Sequence, residues 1–355
     1  MKSLYIFTPS LGSGGAERVM SILSSTFADT FDKVTIFVWK ITPVFYSFDP
    51  RVEIIWIPKM IKHQDILSKM LWVREYVKKN PPTIVLSFLV AYNMMTLASL
   101  YGMNIPIIVA ERSDPNLLRK SRKLLRKIIY RTADGILCQT DSMKDYFRGY
   151  LNKKCEVIYN PFFIDKQFIG MALKSQKDKV LVSVGRLVPS KNHKLLIDSF
   201  KLFKISHPQY KLRIYGEGYF KDELTNYINE HGMSDHVTFM GNSKDIMNDI
   251  KVADAFILTS SNEGMPNALI EAMAIGLPCI STKVCGAVDL IKDGENGYLV
   301  DYDPNEISVA ISKVIDNPEM ARRLATNATS IAEDLKAEKI NQQWISYLSK
   351  FISKQ

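Results

Sequence analysis

The chain has 355 residues, 46% of them hydrophobic, and its 46 Lys and Arg against 37 Asp and Glu give a net charge of +9. At roughly 100–200 residues per domain, this length predicts two domains, and the composition excludes disordered and collagen-like chains. The four cysteines show neither C-x-x-C nor zinc-type spacing, which favours a reducing cytoplasm over a disulfide framework or a structural metal. No stretch approaches the roughly 20 apolar residues of a membrane span, so we expect a soluble or peripheral protein.

Short apolar, β-branched runs alternate with segments of helical spacing along the whole chain, which predicts two α/β units, each a parallel sheet wrapped by helices. The strands predicted in the first half are 3–8, 34–38, 52–57, 83–87, 105–110, 135–138 and 157–159. Those in the second half are 180–184, 212–215, 237–240, 255–258, 278–281 and 297–300. Helices are predicted over 16–27 and 142–151, among others.

The first loop follows a strand, contains three glycines and precedes a helix. Glycines let the backbone approach a ligand closely, and the N–H groups of a helix start favour an anion or a sugar. The dinucleotide pattern G-x-G-x-x-G is only half present, because Gly12 and Gly14 fit but Glu17 stands at the third position. No acidic residue ends the next strand, so a dehydrogenase is disfavoured. A plain glycine turn for tight packing is the alternative.

The excess positive charge lies in the first half of the chain. Residues 1–163 hold 23 basic and 13 acidic side chains, whereas 164–355 hold 23 basic and 24 acidic ones. The densest segment, 117–131, has seven Lys or Arg and no acid. Its apolar residues recur at helical spacing and are Leu117, Leu118, Leu124, Leu125, Ile128 and Ile129. One apolar and one basic face are typical of a helix on an anionic membrane surface, and 59–79 repeats this composition.

Two alternatives compete with this membrane interpretation. The apolar face of 117–131 could belong to the core, with the charges merely solvated. A nucleic acid could also use a basic face, but no helix-turn-helix, zinc finger or aromatic RNA-binding pattern accompanies the charge, so we expect no nucleic acid partner.

The domain boundary is predicted after Asn160-Pro161, because this pair interrupts regular structure. The first domain then covers 1–163 and the second 164–336. The tail, 337–355, has helical apolar spacing through 354 and is expected to pack back on the first domain. Two doubly wound domains facing each other would form a cleft at the carboxyl ends of their sheets.

A second glycine stands at the tip of a predicted strand. Gly185 is followed by Arg186 and, five residues later, by Lys191 just before a predicted helix. The guanidinium fork and the lysine point charge could both lie against a diphosphate. Solvated surface charge is the alternative for either residue.

The most specific pattern runs from Glu263 to Glu271. Pro266 suits a helix start, which predicts a helix over 267–275 whose first N–H groups would favour an anion. The two carboxylates would flank this anion and accept hydrogen bonds from ribose and sugar hydroxyls. A solvated first-turn acid is the alternative for Glu271.

Other catalytic patterns are weaker. Asp-x-Asp spacing occurs only at 301–303, on an expected surface turn, so no bound metal is predicted. No histidine stands beside a serine or cysteine in a nucleophile setting, so a covalent hydrolase has no support.

In combination these motifs resemble the retaining glycosyltransferases of family 4. Members have the GT-B architecture, an α/β fold of two facing Rossmann-like domains with an interdomain cleft. The E-x7-E element, Glu263 to Glu271, is the most specific mark. Further marks in order along the chain are Gly14-Gly15, Gly185-Arg186 with Lys191, Tyr215-Gly216-Glu217-Gly218, and Gly286 with Asp289 and Asp293-Gly294.

The resemblance implies that a nucleotide sugar binds mainly to the second domain, without a metal or other cofactor. Arg186 and Lys191 would neutralise the departing diphosphate, Glu263 would engage the donor hexose, and Glu271 the ribose hydroxyls. The other donor contacts implied are Gly216 and Gly241 beside the base, Gly264, Met265, Asn267, Ala268 and Leu269 around sugar and phosphates, and Gly14 and Gly15 from the first domain.

The string Glu111-Arg112-Ser113-Asp114-Pro115 stands where many members carry a histidine. It is similar to members that build bacterial surface glycans on polyprenyl-diphosphate carriers. The resemblance therefore suggests Glu111 as an acceptor-side or sugar-side contact.

The predicted function is transfer of a hexose or N-acetylhexosamine, with retention of configuration, from a UDP-sugar to a polyprenyl-diphosphate-linked saccharide. Such an enzyme would act in capsule or O-antigen assembly, as a peripheral protein on the cytoplasmic face of the cell membrane. Three alternatives remain: a same-fold transferase with a soluble acceptor, a non-catalytic nucleotide-sugar-binding protein, and a non-hydrolysing epimerase, for which no catalytic acids and histidine can be placed.

Overall fold

The structure is a computed structural model that describes residues 1–12, 14–115, 118–147 and 149–352. It divides into two compact units. The first is Met1–Pro161 together with the C-terminal helix that begins at Ala337, and the second is Phe162–Lys336. Each unit is built on a parallel sheet, which confirms the predicted fold class.

The strands of the first unit are β1 (Ser3–Thr8), β2 (Lys33–Val38), β3 (Glu53–Trp56), β4 (Ile84–Phe88), β5 (Ile107–Ala110), β6 (Gly135–Cys138) and β7 (Cys155–Val157). Within the described residues they pair in the order β3-β2-β1-β4-β5-β6-β7. Every position of β4 is buried, as expected for parallel strands covered on both faces. The chain turns back between β1 and β4, which places a topological switch point there.

The strands of the second unit are β8 (Val180–Val184), β9 (Lys211–Tyr215), β10 (Val237–Gly241), β11 (Ala255–Leu258), β12 (Cys279–Thr282) and β13 (Tyr298–Val300). In the described part of the chain they pair as β10-β9-β8-β11-β12-β13. The sheet grows from β8 first to one side and then to the other, so its switch point lies between β8 and β11.

Helices cover both sheets. Those of the first unit are α1 (Gly15–Thr30), α2 (Ile66–Lys79), α3 (Val90–Ser99), α4 (Lys120–Ile129), α5 (Asp141–Tyr146) and the last one, α14 (Ala337–Ile352). Those of the second unit are α6 (His193–Lys204), α7 (Lys221–Glu230), α8 (Ile246–Ile250), α9 (Asn267–Ala274), α10 (Cys285–Leu290), α11 (Pro304–Asp316), α12 (Pro318–Ala328) and α13 (Ile331–Asp334). None of the described helices combines the length and the hydropathy that a bilayer crossing requires.

The C-terminal helix α14 belongs to the core of the first unit. The ring of Trp344 is fully buried and lies 6.3 Å from that of Phe27 in α1 and 6.2 Å from that of Phe88 in β4. Ile340 and Leu348, four residues to either side, share this buried face, as the helical repeat requires. The last three residues of the predicted tail, 353–355, lie outside the described residues.

Most of the predicted strands differ from the observed ones by one or two residues at an end, and two elements show how packing sets their bounds. The helix predicted over 142–151 ends at Tyr146, because Phe147 leaves the helical conformation and its buried ring stacks on Tyr130, with ring centroids 6.3 Å apart. The strand predicted over 157–159 lies two residues earlier, since Cys155 pairs in register with Ile136. In both cases tertiary packing overrides the local apolar pattern.

The apolar face of α4 is exposed to solvent. Leu124, Leu125 and Ile128 are 62%, 48% and 56% exposed, whereas Arg126 on the opposite face is 1% exposed. For these three residues the alternative of a core position is therefore wrong, whereas Leu118 and Ile129 are half-buried. Leu117, at the start of the predicted segment, lies outside the described residues.

The second basic segment also presents apolar side chains. Its helix, α2, begins at Ile66, because the Asp65 carboxylate accepts a hydrogen bond from the Ser68 N–H at 2.9 Å and caps the helix. Ile66, Leu67 and Leu71 are exposed on α2. Both basic segments thus combine surface lysines with exposed leucine and isoleucine side chains.

Candidate active site

The loops that carry the strongest sequence motifs are neighbours at the carboxyl edge of the second sheet. The loop after β8 contains Arg186 and Lys191, and the loop after β11 contains Glu263. These strands flank the switch point, which is where open α/β sheets bind their ligands. The tertiary structure thus brings together residues more than 70 positions apart.

Lys191 and Glu263 form an ion pair between Nζ and Oε1. Their side chains are 20% and 14% exposed, so the pair is shielded from water but still reachable. The hydroxyl of Ser260 donates to the same carboxylate oxygen at 2.9 Å. Lys191 is therefore not a solvated surface charge. Arg186 is exposed, and the described residues include no ion-pair partner for it.

Hydroxyl groups that the sequence analysis did not assign join these two loops. The Thr259 hydroxyl donates to the carbonyls of Lys191 and Asn192, both at 3.2 Å, and the Ser261 N–H donates to the Ser190 carbonyl at 2.8 Å. The run Thr259-Ser260-Ser261 directly after a strand could have predicted these contacts, because serine and threonine hydroxyls readily form hydrogen bonds with nearby backbone groups.

His193, the first residue of α6, lies next to this site. Burial, together with the positive charge of Lys191, lowers the pKa of His193 to about 4. The imidazole is therefore neutral at pH 7 and adds no charge to the Lys191–Glu263 pair.

Backbone contacts hold the loops after β8, β9 and β10 together. The Gly185 N–H donates to the Tyr215 carbonyl at 2.9 Å, and the Gly216 N–H donates to the Gly241 carbonyl at 2.8 Å. Gly216 has φ +132°, and a Cβ on it would lie 2.1 Å from the Gly185 carbonyl oxygen. Only glycine fits there, so Gly216 lies against the start of the Arg186 loop, and Gly241 is joined to Gly216 by the backbone hydrogen bond.

Helix α9 begins beside Glu263. Pro266 precedes its first residue, and Glu271 is the fifth residue of the helix, in the second turn and not the first as the sequence analysis expected. Glu271 is only 7% exposed, so it is not a solvated acid. Gly264, Met265 and Leu269 are buried, and Asn267 and Ala268 half-buried, around this helix start.

Gly286 lies in α10, the helix that follows β12, and packs against the loop that follows β11. A Cβ there would lie 2.4 Å from the Gly264 carbonyl oxygen and 2.7 Å from the Met265 Cα. The close approach of these backbones sets the position of the residues that follow Glu263.

In the first unit, the glycine loop lies at the carboxyl end of β1. Gly14 is the N-terminal cap of α1, and Gly15 is the first residue of that helix. Under the loop, the buried Glu17 accepts a hydrogen bond from the Ser10 hydroxyl at 2.5 Å. Ser13 lies outside the described residues.

Glu111 lies inside the first unit. None of its side chain is exposed, and its carboxylate accepts a hydrogen bond from the Tyr130 hydroxyl and lies 3.8 Å from Arg126 Nη1. This position does not agree with the expectation that Glu111 touches the acceptor or the sugar. The E-R-x-D-P string marked a residue that the fold buries.

The second-unit site combines positively charged groups with carboxylates. Two cations and a helix start can hold an anion, and two carboxylates can accept hydrogen bonds from hydroxyls. The described residues contain no group of three or more His, Cys, Asp or Glu side chains placed to hold a metal ion.

Two family models match consecutive parts of the chain. The one described as Glycosyltransferase Family 4 matches residues 13–166, and the one described as Glycosyl transferases group 1 matches residues 166–331. The second match contains all the site residues of the second unit, and the first contains Gly14, Gly15 and Glu111.

Two relatives are similar to this chain along nearly the whole length of both proteins. A Campylobacter jejuni protein named GalNAc-alpha-(1->4)-GalNAc-alpha-(1->3)-diNAcBac-PP-undecaprenol alpha-1,4-N-acetyl-D-galactosaminyltransferase is 26% identical, over 98% of this chain and 99% of its own. A second Campylobacter jejuni protein, named N-acetylgalactosamine-N,N'-diacetylbacillosaminyl-diphospho-undecaprenol 4-alpha-N-acetylgalactosaminyltransferase, is 28% identical over 98% of this chain and 100% of its own.

Solved structures share the fold at lower identity. Anabaena Alr3699/HepE, solved in complex with UDP, matches 99% of this chain and 100% of its own with a TM-score of 0.78 and 20% identity. Sucrose-phosphate synthase from Thermosynechococcus elongatus matches all of both chains with a TM-score of 0.83 and 18% identity. These likenesses confirm the predicted fold of two Rossmann-like domains.

Proposed function

The chain belongs to the glycosyltransferases of family 4, and from this membership we propose that it moves a hexose or N-acetylhexosamine from a UDP-sugar to a polyprenyl-diphosphate-linked saccharide. The two Campylobacter jejuni relatives, whose names describe N-acetylgalactosamine transfer to undecaprenyl-diphosphate-linked saccharides, support this acceptor class. A relative from Erwinia amylovora, 26% identical over 95% of this chain and named for amylovoran biosynthesis, supports a role in surface-polysaccharide assembly.

One observation carries the donor proposal. The Lys191–Glu263 pair lies at the switch point of the second sheet, between the Arg186 loop and the start of α9. Diphosphate would take Lys191 and Arg186 as partners, and it would receive further stabilisation from the positive end of the helix dipole. Glu263, released from Lys191, would accept hydrogen bonds from the transferred sugar, and Glu271 from the ribose.

In the proposed reaction, the bond between the anomeric carbon and the diphosphate oxygen breaks while the acceptor hydroxyl attacks from the same face. The acceptor proton goes to the departing phosphate oxygen, and the product keeps the α configuration. Fixed cations and helix N–H groups stabilise the negative charge that develops on the leaving group. This chemistry needs no bound metal.

We place the enzyme at the cytoplasmic face of the cell membrane, as a peripheral protein. A polyprenyl-linked acceptor resides in the bilayer, and the exposed apolar residues of α4 and α2 stand among surface lysines and arginines. Apolar burial and attraction to anionic lipid would then act together. A transferase with a soluble acceptor would not need these exposed leucines.

Donor binding is expected to raise the melting temperature selectively. At a ligand concentration 100 times Kd, binding adds about 2.7 kcal/mol to the free energy of unfolding. A thermal-shift series with UDP-, GDP- and ADP-sugars should show this increase with UDP-sugars alone. An equal shift with all three bases would contradict the UDP assignment, and a shift without any transfer to lipid-linked saccharide would favour a binding protein.

Membrane binding is expected to depend on the apolar face of α4. Leu124→Glu and Ile128→Glu should each lower binding to phosphatidylglycerol-containing vesicles at least about tenfold, since burying such a side chain contributes about 1.5–3 kcal/mol. Val309→Glu, at a position of the second unit that is 58% exposed, is the matched control and should have no effect. Co-sedimentation measures the bound fraction. Equal recovery of the wild type with neutral and anionic vesicles would refute the membrane proposal.

A further inference from the structure

Helix α4 turns a charged face towards the protein interior. Arg126 is buried while Leu124, Leu125 and Ile128 of the same helix are exposed and Ile129 is half-buried, the reverse of the usual arrangement for a surface helix. Of the four apolar side chains of α4, only Ile129 is therefore placed to pack on the first unit. Polar and charged contacts of Arg126 and Tyr130 therefore hold the orientation of α4.

The buried carboxylate of Glu111 faces this helix. Glu111 directly follows β5, and its Oε1 accepts the hydrogen bond from the hydroxyl of Tyr130, the residue after α4. Its Oε2 lies 3.8 Å from Arg126 Nη1. Neither Glu111 Oε2 nor Arg126 Nη1 has a hydrogen-bond partner among the described residues. The two groups therefore compensate each other through charge alone.

The same cluster extends to α3 and α5. The Asn93 amide donates to the Tyr130 hydroxyl oxygen at 3.0 Å and to the Ala110 carbonyl at 3.1 Å. On the other side, the Arg126 guanidinium lies 4.8 Å from the ring centroid of Tyr146 and 5.0 Å from that of Phe147. Through Tyr130 and Arg126, the Glu111 carboxylate is thus linked to Asn93 of α3 and to the rings of Tyr146 and Phe147.

The charge state of Glu111 depends on its partners. Burial raises the pKa of Glu111 to about 7, and the positive charge of Arg126 and the hydrogen bond from Tyr130 act in the opposite direction. Removing the carboxylate charge would leave Arg126 as an uncompensated cation in the interior, which would favour turning α4 outwards.

We propose that Glu111 is a positioning residue that holds α4, through Arg126 and Tyr130, in the orientation that presents its apolar face to the acceptor membrane. This inference rests on the proposed function, because it assigns to α4 the role of contacting the bilayer that contains the acceptor. It predicts that Glu111 governs the acceptor side of the reaction and leaves donor binding alone.

Glu111→Gln tests the proposal, because glutamine keeps an oxygen for the Tyr130 hydrogen bond and loses only the charge. We expect binding to phosphatidylglycerol-containing vesicles to fall about tenfold, amide hydrogen exchange of α4 to become faster, and affinity for UDP to stay within about twofold. Glu230→Gln is the matched control: it removes the same charge from an exposed position of α7, in the second unit, and should leave vesicle binding unchanged.

The double variant Glu111→Gln with Arg126→Met separates positioning from general stability. Without the buried cation, the missing carboxylate leaves no uncompensated charge, so vesicle binding and slow exchange of α4 should largely return. If Glu111→Gln does not fold, Tyr130→Phe replaces it, with the same direction of change and a smaller size.

Two results would overturn the inference. In folded Glu111→Gln, unchanged exchange of α4 and unchanged vesicle binding would show that the carboxylate does not position the helix. An equal loss of UDP affinity would show a general structural role. Failure of the wild type to bind anionic vesicles would instead refute the membrane placement in the proposed function, and the exchange of α4 would still decide whether Glu111 positions the helix.

Discussion

Replacing Lys191 by methionine is expected to lower kcat about 10²–10³-fold, because a fixed cation that stabilises the leaving group acts mainly in the transition state. Since most of this stabilisation is absent from the enzyme–donor complex and develops in the transition state, kcat and kcat/KM should fall by similar factors. Initial rates of transfer at several donor concentrations measure both. Lys191→Arg keeps a positive charge and should recover part of the lost kcat.

Lys194→Met is the matched control for this prediction. Lys194 lies three residues further along, in α6, and pairs with Glu223 on the surface at 2.7 Å. Its replacement removes the same charge outside the site and should change kcat less than about twofold. Equal losses for Lys191→Met and Lys194→Met would contradict a role in leaving-group stabilisation. A lower melting temperature with unchanged kcat would show that Lys191 only neutralises Glu263.

Gly216→Ala is expected to lower the free energy of unfolding by about 3 kcal/mol or more. The new Cβ would meet the Gly185 carbonyl oxygen at 2.1 Å, and φ +132° is strained for any residue with a side chain. Backbone strain costs about 1–3 kcal/mol and overpacking a similar amount. Because Arg186 follows Gly185, donor affinity should fall as well. Urea denaturation and UDP titration measure the two effects.

Gly232→Ala distinguishes the close approach from the backbone conformation. Gly232 also has a positive φ, +65°, but a Cβ there would meet no described atom within 4 Å. Only the left-handed conformation is then strained, so the loss should be about 1–2 kcal/mol with donor affinity unchanged. If both alanine variants lose the same stability, the contact between Gly216 and Gly185 has no energetic role.

The fold was predictable because parallel strands covered by helices leave a direct trace in sequence. β1, β6, β8 and β11 begin and end at the predicted residues, since each is a short apolar run between polar loops. The bounds of α5 were not predictable, because Phe147 leaves the helix to stack on a ring 17 residues away in the chain. Such long-range packing has no local signal.

The candidate site was predictable in its parts. Gly185, Lys191, Glu263 and Glu271 stand in motifs whose spacing indicates anion and hydroxyl binding. The ion pair between Lys191 and Glu263 was not predictable, because the two residues are 72 positions apart. Glu111 was suggested by the resemblance of its E-R-x-D-P string, and its full burial was not predictable, because burial depends on segments far apart in the chain.

By itself, the sequence determined two α/β units, the family and the residues that contact a donor in our proposal, because apolar periodicity and motif spacing are local properties of the chain. Only the tertiary structure decided which charges are paired, that Glu271 and Glu111 are buried, and that α4 turns Arg126 inwards and its leucines outwards. Burial and pairing depend on segments far apart in the chain, and an amphipathic pattern does not say which of its two faces meets the protein.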